Sequence, residues 1–174
     1  TLIAYAIKNL KKQVKKIHVT VGYKGSLLSS HLIKNNVDTI INSPNKSNSW
    51  WIYNSILSNL NEPVLVLTCD NIVNENFSIY IDEFNKKKNC DCLIVSAKPV
   101  KNIDGDYLKY DRNFFIKSIS RINKTNVYAS GIQVINPYRL NKQTKGKNFL
   151  DIWKKLIKQK KIYISKKIIK NWYS

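Results

Sequence analysis

The segment Pro63-Val64-Leu65-Val66-Leu67-Thr68-Cys69-Asp70 constrains the fold more than any other part of the chain. Four successive apolar residues leave no polar face, the pattern of a strand covered on both sides of a sheet. Such a strand needs helices packed on each face, and the flanking sequence supplies them. Ile3, Ile7, Leu10 and Val14 recur at helical spacing, with Lys8, Lys11, Lys12 and Lys15 on the opposite side. A strand is predicted from Ile17 to Val21, closed by Gly22 and Gly25, and a helix over Ser26 to Asn35. Val37 to Ile41 reads as a short strand before Asn42-Ser43-Pro44, and Trp50 to Leu60 as a helix with a broad apolar face. Phe77 to Phe84 repeats the helical pattern, and Cys92 to Val95 that of a buried strand. Four helix–strand alternations with short links predict an α/β fold built on a mostly parallel sheet.

The last 75 residues read differently. Asp104-Gly105-Asp106 precedes two β-prone runs, Tyr107 to Tyr110 and Phe114 to Ile119, the pattern of a β-hairpin appended to the sheet. Val127 to Ile135 is a longer strand interrupted at Ser130-Gly131. Asn148 to Lys160 is a helix with Phe149, Ile152, Trp153, Leu156 and Ile157 inward, and Lys161 to Ile169 a strand. No repeat, linker or low-complexity tract divides residues 1–174, so one domain is expected.

Thirty Lys and Arg against eleven Asp and Glu give a formal charge of +19, which on its own points to nucleic acid. Only three of the thirty are Arg, the residue that base and phosphate readers favour. Lys, Asn and Ile, all encoded by A/T-rich codons, make up 73 of the 174 residues, so the charge reads mainly as a solvated Lys surface. No specific nucleic-acid partner is expected. No apolar run approaches the ~20 residues of a membrane span. Cys69, Cys90 and Cys92 are odd in number and lack C-x-x-C spacing, which fits reduced thiols and a cytoplasmic protein. Cys90 and Cys92 share one strand face, where small buried side chains are expected. His18 and His31 read as ordinary strand and helix residues. The chain opens at Thr1 without Met, already in a helical pattern, and is expected to be part of a longer protein.

Four places could carry chemistry. Asp70 follows the apolar strand at its carboxyl end, where open α/β sheets bind ligands; it could hold a hard cation such as Mg2+, or cap the following helix. The amides and hydroxyls of Asn42 to Ser49, after the second strand, could read a base edge, while Ser47 or Asn48 also suits a helix N-cap. Gly131, after Ser130, allows close approach of a ligand or marks a bulge. Arg121, after Ser120, suits an anionic ligand or a solvated surface. No nucleophile–base motif is present, which favours a chemistry of positioning and charge neutralisation.

In order along the chain stand Gly22-Tyr23-Lys24, Asn42-Ser43-Pro44, Asn48-Ser49, Pro63 to Asn71, Gly105-Asp106-Tyr107 and Ala129-Ser130-Gly131-Ile132-Gln133-Val134-Ile135-Asn136-Pro137. Together they resemble the sugar-phosphate nucleotidyltransferases over nearly the whole chain. The resemblance implies a Rossmann-like three-layer sandwich that joins a nucleoside triphosphate to a sugar 1-phosphate, or another small phosphate, and releases pyrophosphate. Such reactions supply nucleotide sugars for cell-surface polysaccharides. It further implies that Asp70 is a catalytic Mg2+ ligand that also helps neutralise the nucleotide's α-phosphate, and that Asn42, Asn48 and Ser49 bind the nucleotide base. Gly105, Ser130 and Gly131 would contact the sugar, and Arg121 would grip its phosphate. Ser120-Arg121 stands where many members have Glu-Lys, so the carboxylate for sugar hydroxyls is missing there. The family's glycine-rich loop, G-G-x-G-T-R-L, is absent from this sequence, and its second metal Asp falls at or beyond Ser174. The 174 residues are therefore expected to be inactive alone and poorly stable, since the family's central first strand is also lacking.

Three other readings have distinct signatures. A nucleotide-sugar-dependent glycosyltransferase needs Asp-x-Asp after a buried strand, where this chain has Asp70-Asn71-Ile72. A basic nucleic-acid-binding module would bind DNA or RNA with a steep salt dependence. A non-catalytic regulatory domain would have lost the deciding motifs.

Overall fold

A computed structural model describes residues 1–70, 73–100 and 103–170. Helix α1 (Leu2–Leu10) is capped by the Thr1 hydroxyl, which accepts from Ala4 N–H, and is followed by β1 (His18–Val21) and α2 (Gly25–Lys34). Strand β2 (Thr39–Asn42) leads into α3 (Trp51–Asn54), and β3 is Val64–Val66. Helix α4 (Ser78–Lys86) precedes β4 (Cys92–Ala97), the hairpin β5 (Tyr107–Tyr110) and β6 (Ile116–Ser120), and the long β7 (Tyr128–Ile135). Helices α5 (Pro137–Gln143) and α6 (Phe149–Lys158) and strand β8 (Ile162–Ile169) complete the described elements. None of these helices is long and apolar enough to cross a membrane.

The strands form two sheets. β1 and β2 pair in parallel, while six strands run in the order β6-β5-β7-β4-β8 with β3 on the other side of β7. This corrects the expectation of a mostly parallel sheet. β7 is antiparallel to β3, β4 and β5, β5 is antiparallel to β6, and only β4–β8 is parallel in the larger sheet. The helix–strand alternation that implied parallel pairing stops before the hairpin, and β7 then returns against its neighbours.

Alternate residues of β4 divide two cores. Cys92 and Ile94 face a cluster built on α3, α5 and α6, including Ile52, Leu140, Ile152 and Leu156. Leu93, Val95 and Ala97 face Phe77, Tyr80 and Phe84 around α4. Helices therefore cover both faces of the large sheet, as a three-layer sandwich requires. A smaller cluster joins Ile7, Val21 and Leu32 across α1, β1 and α2. Helix α1 is stitched to the approach to α4, where Asn9 Nδ2 donates to Val73 O and Gln13 Oε1 accepts from Phe77 N.

Two further expectations are corrected. Val64, Leu65 and Val66 are half-buried, because β3 pairs with β7 on one side and has no other strand partner among the described residues. The apolar stretch from Trp50 to Leu60 is broken at Ser55, which is extended (φ −126°, ψ 174°) and leads into a 3-10 turn over Ile56–Asn59. The Ser55 hydroxyl donates to Trp51 O and accepts from Leu57 N, offering the backbone an alternative to a continuous helix.

Candidate functional site

β3, β4 and β8 run in one direction, so their carboxyl ends share one edge of the large sheet, the edge at which β7 begins. The ladder is irregular there. Val95 pairs with Ile132 but Ser96 pairs with Ala129, so Ser130 and Gly131 are left over on β7. Gly131 has φ 81°, a backbone region open to glycine and costly to other residues. The Ser130 hydroxyl is buried and donates to Val95 O at 2.7 Å, which pins the bulge and engages the side chain within the protein. What this bulge can offer a ligand is backbone.

The hairpin joins β7 at the same place. Tyr107 pairs with both Ser120 and Tyr128, and Ala129 N donates to Asp106 O at 2.9 Å. Gly105 lies over the Tyr128 ring: a Cβ on it would stand 3.1 Å from Tyr128 Cγ, closer than ordinary contact. Glycine here lets the chain pass over a buried aromatic, which is a packing role. Arg121 Nε donates to Asp106 Oδ1 at 3.0 Å, and this carboxylate holds the guanidinium above its ordinary pKa. The Arg121 side chain remains 76% exposed. Gly105, Arg121, Ser130 and Gly131 are thus brought together by one hairpin base and one bulge. Asp106 is the residue that sequence reasoning did not pick as a site residue. Its signal was present, since continuing the Tyr107–Ser120 register by one residue sets Asp106 opposite Arg121.

A second group lies beyond β2. Ser43 N and Oγ both donate to Val21 O, so the ends of β1 and β2 turn together. Asn42 Oδ1 lies 3.8 Å from where a Cβ on Gly25 would stand, which sets this amide over the start of α2. Asn48 Oδ1 accepts from Phe149 N at 3.4 Å and so helps satisfy the first turn of α6. Ser49 is fully buried, and its hydroxyl has no hydrogen-bond partner among the described residues.

Asp70 is exposed, in a turn four residues past β3, with no hydrogen bond or ion pair to either group. Asn71 and Ile72, and Trp172 to Ser174 where a second metal carboxylate was sought, lie outside the described residues. Among the described residues no three His, Cys, Asp or Glu are grouped as a cation site. A lone exposed carboxylate does not hold Mg2+ by itself. It fits Mg2+ that arrives on a triphosphate, because this ion keeps several waters and commonly takes one or two carboxylates plus substrate phosphates.

No protein-family model and no curated sequence matches the chain. Solved structures do. HddC from Yersinia pseudotuberculosis superposes with a TM-score of 0.72 at 17% identity, over 97% of this chain and 76% of its own. The same protein in complex with GMP-PN gives 0.70 at 18% identity, over 94% and 76%. A Bacillus anthracis protein described as a glucose-1-phosphate thymidylyltransferase, in complex with sucrose, gives 0.73 at 16% identity, over 98% and 75%. At these identities the likeness is one of fold.

Proposed function

We propose that this chain belongs to a sugar-phosphate nucleotidyltransferase, which transfers a nucleoside monophosphate from a triphosphate to a sugar 1-phosphate and releases pyrophosphate. The observation that carries the reading is the hairpin base, where an exposed guanidinium held by Asp106 lies on the same edge of the sheet as the Ser130-Gly131 bulge, joined to it through the Ala129 N to Asp106 O hydrogen bond. The motif order along the chain and the fold shared with a protein described as a thymidylyltransferase support it.

In this reading Arg121 holds the sugar phosphate through its terminal nitrogens, while the backbone about Gly131 meets the sugar. An oxygen of that phosphate attacks the α-phosphorus as the bond to the departing pyrophosphate breaks. The attacking phosphate is already an anion, so no general base is required, and the protein's work is orientation and charge neutralisation. Asp70 would hold Mg2+, which supplies Lewis-acid stabilisation of phosphoryl charge when bound. Asn42 offers an amide donor and acceptor to a base and Asn48 its Nδ2 donors, its Oδ1 being held by Phe149 N; Ser49 contributes through local backbone, since its side chain is buried. The triphosphate-wrapping loop is not in this sequence, and the 174 residues alone release no pyrophosphate.

Amide-resolved NMR titration of the chain with glucose 1-phosphate, and separately with Mg2+ and each nucleoside triphosphate, tests the assignment. Shifts are expected at Arg121 and Gly131 with the sugar phosphate, and around Asp70 with nucleotide. Silence at all of these positions with every ligand overturns the proposal, and pyrophosphate release by the chain alone overturns its inactivity.

A further inference from the structure

The Asp106–Arg121 pair has more hydrogen-bonding capacity than it uses. Arg121 carries five N–H donors, and only Nε–H is engaged, leaving the four on its terminal nitrogens without a partner among the described residues. Asp106 uses one carboxylate oxygen for that bond, and Oδ2 has no partner among the described residues. The carboxylate is also well fixed. Its backbone oxygen accepts from Ala129 N, the preceding Gly105 is seated on Tyr128, and its side chain is 22% exposed against 76% for its partner. An anchored acceptor therefore stands directly beside an exposed set of cationic donors. The ligand that matches both halves carries an anionic oxyacid next to a hydroxyl donor.

Resting on the proposed function, we propose that Asp106 is a specificity-determining residue: its free oxygen accepts a ligand hydroxyl while Arg121 holds the adjacent phosphate, so the site selects a polyhydroxy phosphate monoester over a bare one. A site that hydrogen-bonds a hydroxyl rejects analogues lacking it, because its own acceptor is then left unpaired. Ser120 has no carboxylate to offer beside Arg121. Asp106 supplies one from the opposite strand of the hairpin.

The test compares glucose 1-phosphate with methyl phosphate, titrated calorimetrically into the chain and into the variants D106A, D106N and R121Q. The unmodified chain is expected to prefer glucose 1-phosphate by about tenfold. D106A is expected to bring that ratio near one while changing methyl phosphate affinity little, and R121Q to weaken both ligands alike. D106N keeps the side-chain shape and one acceptor, and a partial loss of preference is expected; it decides the matter if D106A does not fold. An unchanged ratio in D106A, or an equal loss for both ligands, overturns the proposal and leaves Asp106 as a half-buried ion-pair partner. Binding of both ligands without preference by the unmodified chain overturns this proposal alone. Binding of neither overturns the functional reading with it.

Discussion

Trp153 Nε1 donates to Gln133 Oε1 at 2.9 Å inside the layer between α6 and the sheet, and Cys92 Sγ donates to the same oxygen at 3.3 Å. A buried amide on the central strand β7 thus ties a helix and β4 to one acceptor. Trp153→Phe removes one donor and leaves the acceptor served by Cys92, at a cost of about 1 kcal/mol. Gln133→Leu strands the indole N–H in an apolar layer and costs about 2 kcal/mol. Urea unfolding midpoints should fall in that order, and the reverse order would show that the amide is not the hub.

Asp91 is buried at the start of β4, between Lys161 Nζ at 3.2 Å and Arg139 at 3.6 Å. Lys161→Met removes the nearer cation and leaves a buried carboxylate with one distant partner. A loss of about 2–3 kcal/mol is expected in the same assay, since stranding a buried charge costs more than the pair is worth. A loss indistinguishable from that of an exposed lysine would refute the pairing.

Gly131→Ala forces a Cβ into the left-handed region (φ 81°) at the bulge. It should cost about 1–2 kcal/mol of stability. In the proposed site it should also weaken glucose 1-phosphate binding, which calorimetry on the folded variant would report.

Alkaline pH should destabilise this protein. Burial pushes the Cys90 thiol up to about 12 from 9.0, raises Cys92 well above its ordinary value, and raises Tyr80 and Tyr53. These acids hold their protons more tightly folded than unfolded. Their contribution is therefore complete below pH 9 and is lost as pH rises from the unfolded thiol value towards 12. Unfolding free energy measured from pH 8 to 11 should decline, and a flat profile would contradict the burial. Exposed Cys69 should react with a thiol reagent in the native state while Cys90 and Cys92 react only on unfolding.

Lys8, Lys11, Lys12 and Lys34 line an open hollow of about 560 Å³ between α1 and α2, and none of them has a carboxylate within ion-pair reach among the described residues. Any DNA retained there should be released between about 50 and 200 mM salt, irrespective of sequence. Sequence-selective retention at the higher salt would revive the nucleic-acid reading.

The strands and most helices were legible because periodicity reports burial, and α6 shows why. Phe149, Ile152, Trp153 and Leu156 recur at helical spacing and are all buried, and Asn148 caps the helix by accepting from Asp151 N. Strand direction was not legible, because β7 is as apolar antiparallel as it would be parallel. The short α5 went unread: seven residues hold too little periodicity, although Asn136-Pro137 is a helix start, with the Asn136 side chain accepting from Arg139 N. Within the candidate site, chain order pointed to Arg121 and Gly131, whereas the pairing of Asp106 with Arg121 emerges only from hairpin register. Ser130 and Asn48 show the converse, polar side chains in suggestive motifs whose hydrogen bonds serve the fold.

The bulge at Ser130-Gly131 has a counterpart on the other side of β4. Ile94 pairs with Ile164 but Ser96 with Ile168, so β8 also carries two surplus residues at this level. Two is an even number, and strand faces alternate with period two, so Tyr128 stays on the same face as Ile132 and Val134 despite the interruption. Length changes at this rim are therefore constrained by parity. Removing a pair of residues would shorten the rim and leave each remaining side chain on its own face, whereas removing one would send everything beyond it to the opposite core. Among descendants of this chain, insertions and deletions at the rim should accumulate in twos.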